Sequence, residues 1–213
     1  MTDDTALRRA LSVESSSERL QAALDAGTRP DPAFVDALVD RCSIEPDFYV
    51  RDMLTWSLVR HPAALTVPRL LDETRSPVQQ ARSQALHTLS KVGDPRGWTA
   101  ITPELLRDPH DEVARSAWRA AVILVPDDGR TALAHALASQ LGRGDRSLQL
   151  SLSRALAELG DAAEPALWDA RSHANPLVRT HAIATERLLA DPDEAFDSAI
   201  FEAKRIVALG DSA

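Results

Sequence analysis

The chain has 213 residues, 44% of them hydrophobic and 26% charged, with a formal net charge of −8. That length holds one substantial core or two small ones, and the acidic balance argues against a broad electrostatic grip on nucleic acid or an anionic membrane. Cys42 is the single cysteine, which excludes an internal disulfide and a cysteine metal cluster.

Aromatic residues make up 4% of the chain, which suits alanine- and leucine-rich helix packing better than a β-sandwich. Hairpin signals are absent too: no Asn-Gly turn joins alternating β-branched runs. Lys91 and Lys204 are the only lysines, so arginine carries nearly all the positive charge; with the alanine richness, this suggests a GC-rich genome more than any function. The start, Met1-Thr2-Asp3-Asp4, lacks the basic and apolar regions of a signal peptide. No stretch approaches the roughly 18 apolar residues of a membrane helix. The expectation is a cytoplasmic chain.

In chain order, a helical stretch is expected over 5–26, and paired helices follow. First members fall at 32–40, 64–74, 96–107, 130–141 and 163–171. Second members fall at 47–61, 78–92, 111–125, 145–159 and 175–189, and a closing helix at 194–209 carries Glu202, Lys204 and Arg205 outward. The second members are copies of one another. Arg51, Arg82, Arg115, Gln149 and Arg179 lie 31, 33, 34 and 30 residues apart, a period suited to a helix-turn-helix repeat.

Taking those positions as zero, Asp47, Asp111, Asp145 and Asn175 stand four places earlier as N-caps, and Pro176 follows at a first helical position. In the second copy Val78 holds that place, so a start at Ser76-Pro77, about half a turn early, is expected there. Apolar residues recur at offsets −1, +3, +6, +7 and +10, as in Ala114, Trp118, Ala121, Val122 and Val125. These offsets trace one stripe on a helix. Glu186 interrupts the fifth stripe. Breakers close each copy: His61-Pro62, Gly93-Asp94-Pro95, Pro126-Asp127, Gly160-Asp161 and Asp191-Pro192.

The unit Asp-x-x-Val-Arg, seen in Asp47 to Arg51 and echoed in Asn175 to Arg179, resembles the HEAT-repeat superfamily, in particular the bacterial lyase-type HEAT-like repeats. The resemblance covers about 32–189 and implies an all-α solenoid of about five antiparallel helix pairs. The expected layout is a single domain over 1–213, with an N-terminal cap at 1–30, repeats at 31–191 and a C-terminal cap at 192–213. The family also implies that the repeated arginines bond to carboxylates and carbonyls along the stack. Its second helices line the concave surface, so offsets +1, +4, +5 and +8 would face a groove. These positions are Asp52, Thr55, Trp56, Ser83, Leu86, His87, Ser116, Arg119, Leu150, Arg154, Ile183 and Arg187. Asp52, Trp56, Leu86, His87, Arg119, Leu150, Arg154 and Arg187 are the expected partner contacts, because Trp, Leu, His and Arg together suit a protein-binding surface. Trp56 has a competing reading as packing between adjacent repeats.

No catalytic constellation, cofactor site or metal site is expected. No two of the six histidines share a helix at metal-binding spacing, although His173 and His181 flank the Asn175-Pro176 turn. The acidic runs at Asp108-Pro109-His110-Asp111-Glu112 and Asp127-Asp128 read as turns and caps. Arg143-Gly144-Asp145 is a loop ending in a cap, Cys42 reads as core packing, and neither a nucleophile elbow nor a phosphate loop occurs.

The leading expectation is a non-enzymatic interaction or scaffold module that holds a peptide, helix or folded protein in its groove. A capped stack of this kind can be monomeric. Two alternatives come from the family. One is a HEAT-like alkylpurine DNA glycosylase, with Asp52, Trp56, Arg119 and Arg154 around a lesion; net charge and scarce lysine oppose it, and Trp118 falls on the core stripe. The other is lyase-type handling of a prosthetic group, which only the repeat type supports.

Overall fold

The computed structural model describes residues 3–191 and 196–210, all helix, turn or loop, with no strand among them. In chain order the helices are α1 (Asp3–Ala10), α2 (Ser16–Thr28), α3 (Phe34–Cys42), α4 (Phe48–Val59), α5 (Ala63–Glu73) and α6 (Gln79–Val92). They continue as α7 (Pro103–Leu106), α8 (Asp111–Leu124), α9 (Arg130–Ala138), α10 (Arg146–Glu158), α11 (Glu164–Ala170), α12 (Pro176–Ala190) and α13 (Phe196–Gly210). Short 3₁₀ turns occupy Pro95–Ala100, Asp127–Gly129 and Gly160–Ala163. The fold is an all-α helical repeat. Its contacts define two compact units, Met1–Thr102 with Glu112–Leu124, and Pro103–Asp111 with Val125–Ala213.

The second helices start where the N-cap residues put them. Asp47 accepts from the Tyr49 and Val50 amides, Asp145 from Leu148 and Asn175 from Leu177, pairing amide hydrogens that the first turn leaves without partners. Two expectations shift. The helix with Val78 at its N-cap starts at Gln79, in register with the other copies. Ser76 Oγ accepts from the Val78 amide in the loop before it, so Ser76-Pro77 shapes the turn and not the helix. Asp111 is already helical, and its Oδ1 receives Arg143 at 2.7 Å.

A further departure concerns 96–107, expected as one helix. Residues 95–100 form a 3₁₀ turn, Ile101 is extended at φ −78° and ψ 95°, and α7 has only 4 residues. Pro103 pushes the residue before it out of helical geometry, and Gly97 removes the side chain that would hold a helix away from Leu124. A Cβ at Gly97 would lie 3.1 Å from Leu124 Cδ1. At the start of the chain, 5–26 is two helices, α1 and α2, parted at a Ser15 cap. The breaker Pro192 and the expected first residue of the closing helix, Glu194, lie outside the described residues.

The repeated arginines do one job in three copies. Arg51 Nη1 donates to the carbonyls of Glu45 and Pro46, Arg82 Nη1 to those of Ser76 and Pro77, and Arg179 Nη1 to those of His173 and Ala174. Each arginine thus satisfies loop carbonyls five and six residues before it. Gln149, in the fourth copy, reaches the Gly144 carbonyl at 3.3 Å.

In the first unit, Glu45 joins several helices. Its carboxylate accepts two bonds from Arg19, one from Arg41 and one from the Asp47 amide, at 2.7–2.9 Å. Gln80 of α6 and Arg51 of α4 donate to its carbonyl. The Glu45 side chain is fully buried and that of Arg19 nearly so. Burial alone would raise the Glu45 carboxyl pKa; the Arg19 bonds, the Asp47 amide and Arg41 outweigh it and hold the value at about 2.

Neighbouring second helices share a polar seam. In the first unit the Thr55 hydroxyl, at offset +4, meets Thr88, at +6 of the next copy, 3.4 Å away. In the second unit Ser153, again at +4, meets Thr185, again at +6, at 2.7 Å. There the seam extends to His181, which is 1% exposed. His181 Nδ1 accepts from the Gly142 amide at 3.0 Å, so its proton sits on Nε2 and is directed at Gln149 O and Ser153 Oγ, both 3.0 Å away. Thr185 donates to the His181 carbonyl, and the chain of donors closes without conflict. Gly142 serves this by adopting φ +81°, where a Cβ would also crowd the Val178 amide at 3.2 Å.

Two pH windows follow. Glu45 titrates near 2 when folded and at its ordinary value of 4.5 when free, so its stabilisation is complete above 4.5 and fades as pH falls towards 2. Glu45→Gln should cost about 3 kcal/mol at neutral pH, because it leaves Arg19 buried without its counter-charge, and should flatten the urea-midpoint profile below pH 4.5. Burial lowers the His181 pKa to about 4 against an ordinary 6.5, so stability drops as pH falls through that higher range, where the unfolded chain takes up the proton. His181→Gln should remove the slope between pH 6.5 and 4 and cost about 1–3 kcal/mol through the unpaired Gly142 amide. Urea unfolding at stepped pH measures both.

Candidate functional site

The polar seam decides which offsets reach solvent. Helices packed side by side bury the +4 position against the neighbour, so Thr55, Leu86, Ser153 and Ile183 are all buried. This corrects the expectation for Leu86, which is 0% exposed and belongs to the core. Arg119 is the +4 residue that stays exposed. On α4 the positions +1, +5 and +8 are open, as Asp52, Trp56 and Val59. Beside them His87 at +5 of α6 is half-buried, and on α8 Ile123 at +8 is exposed while Ala120 at +5 is buried.

Within the first unit, four expected contacts remain together on the second helices: Asp52 and Trp56 on α4, His87 on α6 and Arg119 on α8. Burial lowers the His87 pKa, Lys91 and Arg119 lower it further, and Asp52 partly opposes them. At neutral pH His87 is therefore an uncharged imidazole within reach of one anion and two cations. Sequence reasoning missed Lys91, four residues beyond His87 and exposed; the i, i+4 spacing on α6 was the available signal.

Trp56 combines the two readings it was given. It is 38% exposed, yet its ring edge lies so close to α2 that a Cβ on Gly27 would come within 2.4 Å of it. Arg60 sits 5.2 Å from the ring centroid, and its Nε donates to the Gly27 carbonyl at 2.8 Å. The indole is thus held in one orientation by a glycine below and a guanidinium beside it.

In the second unit the expected contacts do not form an open face. Leu150 is half-buried against the cluster of Ile183, Leu188, Phe196, Ala199, Ala203 and Val207, so α13 lies over part of that stripe. Arg146 fastens α13 through Asp197 and lies 5.9 Å from the Phe196 ring centroid. Arg154 is exposed, and Arg187 is half-buried and engaged. The outer surface of α13 carries Arg205 and Lys204, and also Phe201 and Leu209, both more than 60% exposed.

The other candidates fall into structural roles. Glu186, which interrupts the fifth stripe, has its carboxyl pKa raised by burial, with Arg171 at 3.6 Å opposing. His173 is exposed and accepts from the Asn175 amide, apart from the buried network of His181. Asp108 accepts from the His110 amide within its turn. Trp118 is fully buried and unavailable for stacking on a ligand. Burial pushes the Cys42 thiol up to about 12, which leaves it unreactive. No group of three or more His, Cys, Asp or Glu among the described residues is placed to hold a metal ion.

No family model matches the chain, and no curated protein matches it in sequence. No helix among the described residues is long and apolar enough to cross a membrane. Solved structures do resemble it. An engineered protein aligns at 20% identity and TM-score 0.48, covering 93% of this chain and 98% of its own. Human deoxyhypusine hydroxylase in complex with glycerol aligns at 18% identity and TM-score 0.47, covering 97% and 94%. The complex of CpcE and CpcF of phycocyanin lyase from Nostoc sp. PCC7120 aligns at 16% identity and TM-score 0.42, covering 97% and 95%. Two of these bear the names of a hydroxylase and a lyase, which corrects the expectation that the chain is not an enzyme: structures similar to this one are named for reactions.

Proposed function

We propose that the chain binds a protein partner through the exposed stripe of α4, α6 and α8 in its first unit. The observation that carries the reading is Trp56: a large aromatic side chain, more than a third exposed and fixed by Gly27 and Arg60. A side chain already held in one rotamer loses little conformational freedom when a partner covers it. Around it stand Asp52, neutral His87, Lys91 and Arg119, a mix of both charges with an imidazole that donates and accepts. Mixed polar groups around an aromatic centre suit a protein surface. A nucleic-acid strand would call for a continuous positive track, and Asp52 interrupts one here.

The test is capture from cell extract on the full chain, compared with Trp56→Ala and, separately, Arg119→Glu, each checked for unchanged helical content. A protein retained by the parent chain should lose about thirtyfold in affinity with Trp56→Ala, the effect of a binding hot spot worth about 2 kcal/mol. Equal retention by all three chains, or co-purifying nucleic acid in place of protein, would reject the proposal.

A further inference from the structure

The second unit holds an open cavity of about 1000 Å³. Its walls are the last turn of α10, the 3₁₀ turn Gly160–Ala163, α11 and the last turn of α12. Two helices therefore present their carbonyl ends here, each carrying a partial negative charge. Five carboxylates line the same space, those of Glu158, Asp161, Glu164, Asp169 and Glu186, together with Trp168. Arg130 is the one basic residue among the described lining residues, and its Nη2 is spent on the Glu158 carbonyl at 2.8 Å. Among the described residues, Glu158, Asp161, Glu164 and Asp169 take part in no ion pair, while Glu186 has Arg171 at 3.6 Å. A concave wall of uncompensated carboxylates concentrates negative potential and draws in cations.

Trp168 narrows the chemistry. It is 66% exposed at the cavity edge, and the guanidinium of Arg171 already lies 5.0 Å from its ring centroid. An indole face and flanking carboxylates fit a planar guanidinium, which stacks on one and bonds to the other in pairs, better than a compact, strongly hydrated ammonium. The volume exceeds one such group, and the carboxylates spread over four elements, so the fit is to several side chains along an extended chain.

We propose that this cavity binds arginine side chains presented on an extended basic segment of a protein partner. The site shares no residue with the Trp56 face, so each can fail without the other.

The experiment is calorimetric titration of the full chain with an acetylated, amidated tetra-arginine peptide. Saturable binding is expected. Trp168→Ala should weaken it about fivefold, from the lost cation–π contact. Glu164→Gln combined with Asp169→Asn should weaken it about tenfold and reduce its salt dependence. Asp25→Asn with Asp31→Asn, in a second acid-lined groove within the first unit, should leave it unchanged. Of the five substituted residues, Asp25, Glu164, Trp168 and Asp169 are exposed and Asp31 is half-buried, and circular dichroism confirms each fold. The proposal is overturned by absence of saturable binding at millimolar peptide. It is equally overturned by the same loss in the Asp25/Asp31 variant, or by tetralysine binding as tightly as tetra-arginine.

Discussion

Three second helices, α4, α6 and α12, start from a loop whose carbonyls have no backbone donor to meet, and a side chain on the helix itself supplies one. Arg51, Arg82 and Arg179 each reach back over the turn to the carbonyls five and six residues earlier. A guanidinium is suited to this because one nitrogen serves two carbonyls while the stem packs along the helix. The bond ties the helix to the turn that precedes it, so the angle between the two members of a pair is set locally. Once that angle is set, +4 and +6 of adjacent second helices meet, and the small hydroxyls found there become the seam. What remains outward in the first unit is Asp52, Trp56 and Val59 of α4 with Arg119 and Ile123 of α8.

The two units solve the same problem of burying polar groups by different means. The first concentrates charge at Glu45, where three arginines and Gln80, from four helices, converge on one residue. Such a centre stabilises little relative to an apolar equivalent, but it leaves few alternative arrangements once its partners are in place. The second unit uses a neutral relay, Gly142 to His181 to Ser153 to Thr185, in which every donor has an acceptor. A buried imidazole satisfies three elements without bringing a charge into the core.

The periodicity of the sequence was enough to reveal the helices, because N-caps, apolar stripes and breakers agree at the same spacing. The break at 101–103 escaped it, since Gly97 and Pro103 act through a close approach to Leu124 and through backbone sterics that an apolar pattern does not record. The candidate face was half legible. Asp52, Trp56 and Arg119 are exposed with His87 half-buried near them, whereas Leu86 is buried because a neighbouring helix covers +4. A single-helix wheel cannot show which flank the next helix will take. The acid-lined cavity around Trp168 was not legible at all, because it forms where the ends of α10 and α12 meet α11.

Gly27 has a consequence beyond packing. A Cβ there would meet not only the Trp56 ring but the Ser57 backbone at 2.8 Å, so shrinking residue 56 would not make room for one. The position admits a single residue type, and the tilt of the indole is dictated from a helix that carries none of the exposed stripe. Small changes in how closely α2 approaches α4 would therefore re-aim the indole without any change on the exposed stripe. On the proposed partner-binding reading, mutational tolerance and binding preference would be governed by different residues, with an intolerant site lying outside the surface it shapes.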